Sequence, residues 1–232
     1  MAIRHVQRGQ SDRAVELTKS SLAQFLKYVE DVCVAKKRDP FAALMSIAQD
    51  QQGFFTTKQA IEAGYADNTH PYHVRAGNWE RIWRGIYRLR HYPSPEDGDK
   101  VAWYLWSRGR DEKPVGVYSH ETALSVFDLG DFNPADLHMI VPLTFRRNGT
   151  VPKGVVLHRG TVSAAECTRL RGFAVCRPLR AVIDLAKANP TAVEDLRRVV
   201  SDARRRGLVT ERELAAKRKE CETDSLLKAV LP

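Results

Sequence analysis

Residues 53–90, GFFTTKQAIEAGYADNTHPYHVRAGNWERIWRGIYRLR, decide the fold of the first half of the chain. Thr56 and Gln59 match a capping box, in which two side chains satisfy each other's backbone N–H groups at the start of a helix. They predict a helix over 57–63, and Gly64 follows it as a helix-ending glycine. The stretch therefore opens with a short helix whose two ends are both marked.

Two further elements follow within the same stretch. A short helix is expected over about 68–75. A proline falls in its first turn, where the N–H group that proline lacks would have no hydrogen-bond partner within the helix. Residues 79–90 are expected to form two short strands that turn at Arg84-Gly85. Another helix is predicted over 41–51, so three helices and a basic hairpin make a winged helix-turn-helix.

Positive charge is concentrated in this region. The chain of 232 residues carries 37 Lys and Arg against 28 Asp and Glu, a formal net charge of +9. Between His70 and Tyr92, five arginines stand against one acid, with five aromatic residues interleaved. A localised excess is what a surface for a polyanion requires. Double-stranded DNA is therefore the first partner to expect.

The candidate DNA-binding residues follow from the way a winged helix docks. Its third helix enters the major groove, where Arg and Asn recognise guanine and adenine edges, while the wing contacts phosphates or the minor groove. We expect the third helix to face base edges and the hairpin arginines to face the backbone. The residues concerned are Thr57, Asn68, Thr69, His70, Tyr72, His73, Arg75, Arg81, Arg84, Arg88 and Arg90.

Two alternatives remain open for this surface. The hairpin arginines would serve no ligand if they only protected the edge of a sheet. Winged helices also act as protein-binding modules, although that role does not need so positive a wing.

The rest of the chain predicts two more regions. Residues 11–37 have apolar side chains at helical spacing and indicate a long leading helix. After residue 92, strand and helix patterns are mixed and end in three helices, of which the one over 192–206 is either an ordinary amphipathic helix or a functional basic surface. The predicted fold class is α+β, with an amphipathic extension (1–39), a winged helix-turn-helix (40–92) and a mixed α/β domain (93–232).

The leading helix has one apolar face. Val15, Leu22 and Val29 recur every seven residues, so this face must be buried. It packs either on its own winged helix or on a second copy of the chain, and we favour the second copy slightly. A homodimer of this kind would span two half-sites of an inverted repeat in operator DNA.

The sequence gives little support to catalysis. It contains no P-loop, no nucleophile elbow and no H-E-x-x-H motif. Asp97 and Asp111-Glu112-Lys113 loosely imitate the carboxylate and lysine set of a Mg²⁺-dependent nuclease, which is kept as the alternative function. The pair His70 and His73 has no third metal ligand nearby in sequence. We expect a protein that is not an enzyme and that needs no metal or cofactor.

The cysteines and the apolar runs indicate the compartment. Cys33, Cys167, Cys176 and Cys221 are far apart, as expected for reduced thiols. The N-terminal residues lack the apolar segment of a signal peptide, and no run reaches the length of about 20 apolar residues that a membrane span needs. We expect a cytoplasmic protein without a membrane segment.

Several runs resemble a known family. GFFTTKQAIEAGY and NTHPYHVRAGNWERIWRGIYRL resemble the winged helix of AbiEi proteins, the antitoxins of type IV toxin-antitoxin (abortive infection) systems. The family's G-x-x-T helix start corresponds to Gly53 to Thr56. Its x-R-x-x-R-G-x-Y wing corresponds to Arg81 to Tyr87. VGVYSHETALSVFDL, DLHMIVP and GFAVCRPLRAVIDLAKA resemble its second domain, so the resemblance extends over about 41–220. It implies a DNA-binding transcriptional regulator that represses its own operon and opposes a nucleotidyltransferase-type toxin.

Overall fold

The computed structural model describes residues 39–146, 151, 153–188, 193–221 and 223–231. The leading helix expected over 11–37 lies outside the described residues, and so does residue 192, the expected start of the basic helix. By its contacts, the chain divides between Ala43 and Leu44. The domain boundaries expected at residues 39 and 92 stay predictions.

The winged helix-turn-helix contains three helices and a three-stranded antiparallel sheet. Its elements are α1 (Pro40–Gln49), β1 (Phe54–Thr56), α2 (Thr57–Glu62), a 3-10 turn (Asp67–Thr69), α3 (His70–Arg75), β2 (Trp79–Trp83) and β3 (Ile86–Leu89). The strand order is β1-β3-β2. The predicted α+β class and the winged helix are confirmed.

Local signals place the boundaries of these elements. The Gln59 N–H donates to Thr56 Oγ1 (3.3 Å), and the Thr56 N–H donates to Gln59 Oε1 (2.9 Å), so the predicted capping box is confirmed. Pro71 lies in the first turn of α3, as expected. The hairpin turns at Arg84-Gly85, where Gly85 has a φ of +73°. Only glycine adopts that backbone conformation at little cost.

The three-stranded sheet is covered on both faces. Phe55 is paired with Tyr87 and Trp79 with Leu89, and directly opposed residues of a ladder lie on the same face. On the other face, Thr56 is paired with Ile86, which belongs with Phe54 to the large apolar core of the following region. Residues after 92 are therefore packed against the back of the winged helix.

The region after residue 92 is mixed α/β. Its elements are α4 (Gly98–Trp106), β4 (Val117–Tyr118), α5 (His120–Val126), β5 (Leu137–Val141), β6 (Val155–Arg159), β7 (Cys167–Leu170), β8 (Phe173–Cys176), α6 (Pro178–Ala188), α7 (Val193–Arg205), α8 (Glu211–Glu220) and α9 (Ser225–Val230). The sheet order is β6-β5-β4-β8-β7, with β5/β6 and β4/β8 parallel and the other two pairs antiparallel. Among the described residues, no helix combines the length and apolarity required to cross a membrane.

Two elements differ from the prediction. Strand β7 was not expected, because an edge strand with exposed Arg169 and half-buried neighbours has only a weak apolar pattern. The chain ends in four helices rather than three, since Asp224 Oδ1 accepts the N–H groups of Leu226 and Leu227 and begins α9. Ser163 and Glu166 form a capping box at the start of a 3-10 turn over Ala164–Glu166.

An ion-pair cluster fixes that 3-10 turn to α6. Arg180 donates to Glu166 Oε2 (2.9 Å) and to both oxygens of Asp184 (3.0 and 2.9 Å). Glu166 Oε2 also accepts the N–H and the hydroxyl of Ser163, at 3.0 and 2.9 Å. Burial raises the pKa of Glu166, but the two bonds from Ser163 and the charge of Arg180 outweigh it and lower this pKa to about 2. The ionised carboxylate therefore stabilises the folded state.

The substitution Glu166→Gln is expected to lower the free energy of unfolding at pH 7 by about 1–3 kcal/mol, because it removes charge-assisted hydrogen bonds. A carboxyl whose pKa falls on folding stabilises the protein above the pKa of the unfolded chain, about 4.3, and loses that contribution as the pH falls toward about 2. Urea denaturation of both proteins between pH 7 and pH 2 measures the difference. A difference that stays constant through this range would contradict the argument.

Candidate nucleic-acid interface

An aromatic cluster holds α3 on the sheet. Trp79 is 2% exposed, and its ring is stacked with that of His73 at 4.6 Å and an interplanar angle of 20°. Tyr65 and Phe55 meet Trp79 edge-on at 5.0 and 4.9 Å. Edge-to-face and offset stacked pairs of this kind add to the burial of their large apolar surfaces. They leave α3 one free side, which faces away from the sheet.

The outer side of α3 and the 3-10 turn before it carry three of the predicted contact residues. Asn68, Tyr72 and Arg75 are exposed, Tyr72 by 61%. Thr69 is half-buried, and its hydroxyl donates to the Ala66 carbonyl at 2.6 Å. Within the described ranges, Arg75 has no ion-pair partner. The exposed residues are therefore an arginine and a phenol on the third helix and an amide on the turn before it.

The expected contact of His70 with base edges needs correction. His70 is 2% exposed, and its ring lies 5.2 Å from that of Trp79 and 5.9 Å from that of Tyr87. Burial lowers its pKa, although Asp67 Oδ1, 3.5 Å from Nδ1, acts in the opposite direction. In a helix, positions three apart share a face. His70 therefore lies inward with His73 and is a neutral core residue.

The wing presents three exposed arginines. Arg81, Arg84 and Arg90 are all exposed, and no ion pair involves them in the part of the chain that the structure describes. Arg81 is paired with Tyr87, so it shares the face of the sheet on which α3 packs. Arg84 lies at the tip of the turn, and Arg90 follows the end of β3. Together with Arg75 they form the free arginine set of the winged helix.

The expected phosphate contact of Arg88 also needs correction. The Arg88 side chain is 17% exposed and lies on the opposite face of the sheet from Arg81, paired with Glu80. Its Nη2 donates to the carbonyls of Tyr92 and Pro93 at 3.0 and 3.1 Å, and Nη1 lies 3.7 Å from Glu80 Oε2. Arg88 therefore holds the chain that leaves the hairpin and is not available to a ligand.

The wing turn is clamped from behind. Arg108 Nη2 donates to the carbonyls of Arg84 and Gly85, each at 3.4 Å, while its Nε donates to Glu112 Oε2 at 2.7 Å. The Thr57 N–H donates to the Gly85 carbonyl at 3.2 Å, which places the predicted contact residue Thr57 beside the turn. A Cβ at Gly85 would lie only 2.8 Å from Arg108 Nη2. The position of the wing tip is thus fixed by the region after residue 92.

The basic helix α7 has a different character. Each of its arginines, and the one directly after it, lies beside an acid: the pairs are Arg197 with Glu194, Arg198 with Asp195, Arg204 with Glu211, and Arg205 and Arg206 with Asp202. Such exposed pairs stabilise a protein little, but they cancel local charge. The ordinary amphipathic interpretation therefore fits α7 better than a second basic surface.

The carboxylates considered for a nuclease are engaged elsewhere. Asp97 is buried, and its two oxygens lie 3.0 Å from Lys100 Nζ and 2.8 Å from Arg171 Nη1. Glu112 is paired with Arg108, and Asp111 Oδ1 accepts the backbone N–H two residues later. These contacts give no support to a Mg²⁺ site on the predicted residues.

One cluster was missed by the sequence analysis. His120, His138 and His158 offer ligand nitrogens that all lie within 4.8 Å of one another. The pKa of His120 is lowered to about 4, first by burial and then by the charges of His158, His138 and Arg180. Burial also lowers the pKa of His158. No motif spacing reveals this cluster, because its members come from three separate elements.

The fold and the free arginine set define a winged-helix protein with exposed, unpaired arginines among its described residues. Residues 43–90 match the family described as "Transcriptional regulator, AbiEi antitoxin". The resemblance seen in the sequence is thereby confirmed for these residues.

Structural comparison adds a more distant likeness. The crystal structure of RV2827C protein from Mycobacterium tuberculosis is 15% identical, with 81% of this chain and 75% of that chain covered at a TM-score of 0.46. A similarity of this size carries no functional argument. No curated protein matches the chain.

The two arginines on opposite faces of the hairpin are expected to respond differently to substitution. Arg88→Gln removes two hydrogen bonds to carbonyls and should lower the free energy of unfolding by about 1–3 kcal/mol. Arg81→Gln should change it by less than about 0.5 kcal/mol, because this side chain is exposed and makes no ion pair with the described residues. Urea denaturation monitored by tryptophan fluorescence measures both. Equal losses would contradict the assigned roles.

Proposed function

We propose that this protein is a DNA-binding transcriptional regulator and antitoxin that represses its own operon. The observation that carries the proposal is the free arginine set: Arg75 on α3 and Arg81, Arg84 and Arg90 on the wing are exposed and unpaired among the described residues. A polyanion gains most from cations that no protein carboxylate neutralises. The match of residues 43–90 to a regulator family supports the same conclusion.

The arrangement assigns different tasks to the helix and the wing. Arg75, with Asn68 and Tyr72 beside it, contacts base edges in the major groove, where Arg and Asn recognise guanine and adenine. Arg84 at the wing tip and Arg81 near it contact phosphates or the minor groove. Thr57, Thr69 and His73 lie at the margin of this surface, while His70 and Arg88 are outside it. A protein-binding role would leave the unpaired wing charge without a purpose.

The operator and the toxin complete the proposal. In the cytoplasm, a homodimer binds double-stranded operator DNA that contains an inverted repeat. The homodimer is inferred from the sequence pattern of residues 11–37 alone. The protein opposes a nucleotidyltransferase-type toxin, as the AbiEi resemblance implies.

If a neighbouring gene encodes such a toxin, co-expression of this chain should restore growth to cells that produce it. Continued growth arrest despite soluble antitoxin would contradict that part.

The protein is expected to bind a duplex from the region upstream of its gene with an affinity that falls steeply as salt rises. Each phosphate contact adds about −0.9 to the slope of log K against log salt concentration. Arg81→Gln with Arg84→Gln should therefore make the slope shallower by about 2. Fluorescence anisotropy at several salt concentrations measures the slope.

The matched control removes the same charge from the paired helix. Arg197→Gln with Arg198→Gln should leave the slope within about 0.5 of the wild-type value, because both residues are beside acids on α7. Equal effects of the two double variants would mean that net charge alone drives binding. No salt dependence in the wild-type protein would contradict DNA binding through these arginines.

Arg75→Ala and Arg84→Ala are expected to weaken DNA binding in different ways. The loss of a bidentate base contact by Arg75 should reduce discrimination between operator and random DNA by about 1–3 kcal/mol. Arg84→Ala should weaken both equally, since phosphates carry no sequence information. Competition binding with both duplexes measures the ratio. An unchanged ratio in Arg75→Ala would contradict base recognition by α3.

A further inference from the structure

The large sheet brings three histidines to one place. His120 follows β4 directly at the start of α5, His138 lies in β5 and His158 in β6. In the parallel pair β5/β6, His138 is opposite Val156 and His158 is opposite Ile140, so the two histidines lie two positions apart on the same face. Since β4 is the other neighbour of β5, His120 arrives beside them.

The rings are within reach of a common ligand. His138 Nδ1 and His158 Nε2 are 3.0 Å apart, and the rings of His120 and His158 are stacked at 3.9 Å. Adjacent nitrogens in a tetrahedral zinc site, with Zn–N bonds of about 2.0–2.1 Å, lie about 3.3 Å apart. The ligand nitrogens of the three rings all lie within 4.8 Å of one another, which is close to that spacing.

A second set of contacts positions the rings. The Ser119 hydroxyl lies 2.9 Å from His120 Nδ1, although Ser119 is the N-cap residue of α5 and such serines normally bond the backbone of the first turn. The Ser119 N–H donates to the His138 carbonyl (3.0 Å), and the His138 N–H donates to Thr122 Oγ1 (2.8 Å). These bonds join the start of α5 to β5, and the contact with Ser119 engages Nδ1 of His120 rather than Nε2.

The backbone and the local charges agree with this arrangement. His120 has a φ of +52°, an uncommon conformation for a non-glycine residue, and strained residues of this kind cluster at functional sites. Arg180, the cation that acts on His120, is itself bound to Glu166 and Asp184. His120 is buried while His138 and His158 are half-exposed, so water can reach the cluster. Among the described residues, this is the one group of three placed to hold a metal ion.

We propose that His120, His138 and His158 bind a divalent transition metal ion, with Zn²⁺ as the best match and water at the fourth position. Three imidazoles with an open site form a recurring zinc ligand set. Imidazole nitrogens favour zinc, copper or nickel, whereas magnesium and calcium prefer carboxylate and carbonyl oxygens. The bound ion would join β5, β6 and the start of α5.

Zinc binding to the tag-free, chelator-treated full chain tests the proposal. One equivalent of Zn²⁺ should bind by calorimetry, and at 100 times its dissociation constant Zn²⁺ should raise the melting temperature by about 5–10 °C. Mg²⁺ at the same concentration should leave it unchanged. The absence of a zinc-dependent shift in the wild-type protein would overturn the proposal.

Variants identify the ligands. His158→Gln should weaken zinc binding by at least about 100-fold, since even contacts behind a ligand are worth about 10–100-fold, and Ser119→Ala should weaken it by about 10-fold. His91→Gln is the matched control, because His91 is exposed and outside the cluster. Undiminished zinc affinity in a folded His158→Gln protein would overturn the assignment.

If His158→Gln does not fold, a titration of the wild-type protein with Co²⁺ tests the proposed metal site. Wild-type protein titrated with Co²⁺ should develop the visible absorption bands of a four-coordinate ion, and one equivalent of Zn²⁺ should remove them. A spectrum of six-coordinate aqueous Co²⁺ alone would overturn the proposal. None of these measurements uses DNA, so their outcome is independent of the proposed function.

Discussion

The burial of the three-stranded sheet on both faces is the constraint on which the rest of the structure depends. Trp79 and Phe55 pack on one side among the residues that hold α3, and Phe54 and Ile86 pack on the other in the core of the following region. A winged helix commonly exposes one face of its wing sheet to solvent. Here Phe54 and Ile86 on that face are buried in the core of the following region, so core packing fixes the sheet that carries α3 on that region.

Charge is divided between the two parts of the chain. In the region after residue 92, Arg180, Arg171 and the arginines of α7 all lie beside carboxylates, so most of the positive side chains there are locally balanced. In the winged helix the positive side chains have few acids near them in sequence. Glu80 is the one acid between His70 and Tyr92. A net charge of +9 therefore describes the surface poorly, because part of the positive charge after residue 92 is neutralised by neighbouring carboxylates while the free arginine set is not.

Sequence prediction succeeded where the chemistry is local. The capping box at Thr56, the glycine turn at Gly85 and the matched strands of the hairpin depend on residues close in sequence, and all are present. The inward orientation of His70 could not be predicted, since a helix of six residues is too short for periodicity to separate its faces. Arg88 was misassigned because its carbonyl partners come from a segment with no regular structure.

The histidine cluster was beyond sequence reasoning for a different reason. His120, His138 and His158 meet only because β4, β5 and β6 are neighbours in the sheet, and that order combines parallel and antiparallel pairs. A local pattern specifies each strand, but not the neighbour beside which it lies.

The clamp of Arg108 on the wing turn has a consequence for recognition. The carbonyls of Arg84 and Gly85 already accept hydrogen bonds from Arg108, and the Thr57 N–H also donates to the Gly85 carbonyl. A flexible wing would lose conformational entropy whenever it met a ligand, and that loss would reduce affinity. In this protein the conformational entropy of the turn is lost during folding rather than on binding. Its rigidity favours fast, shape-selective association over adaptation to many different surfaces.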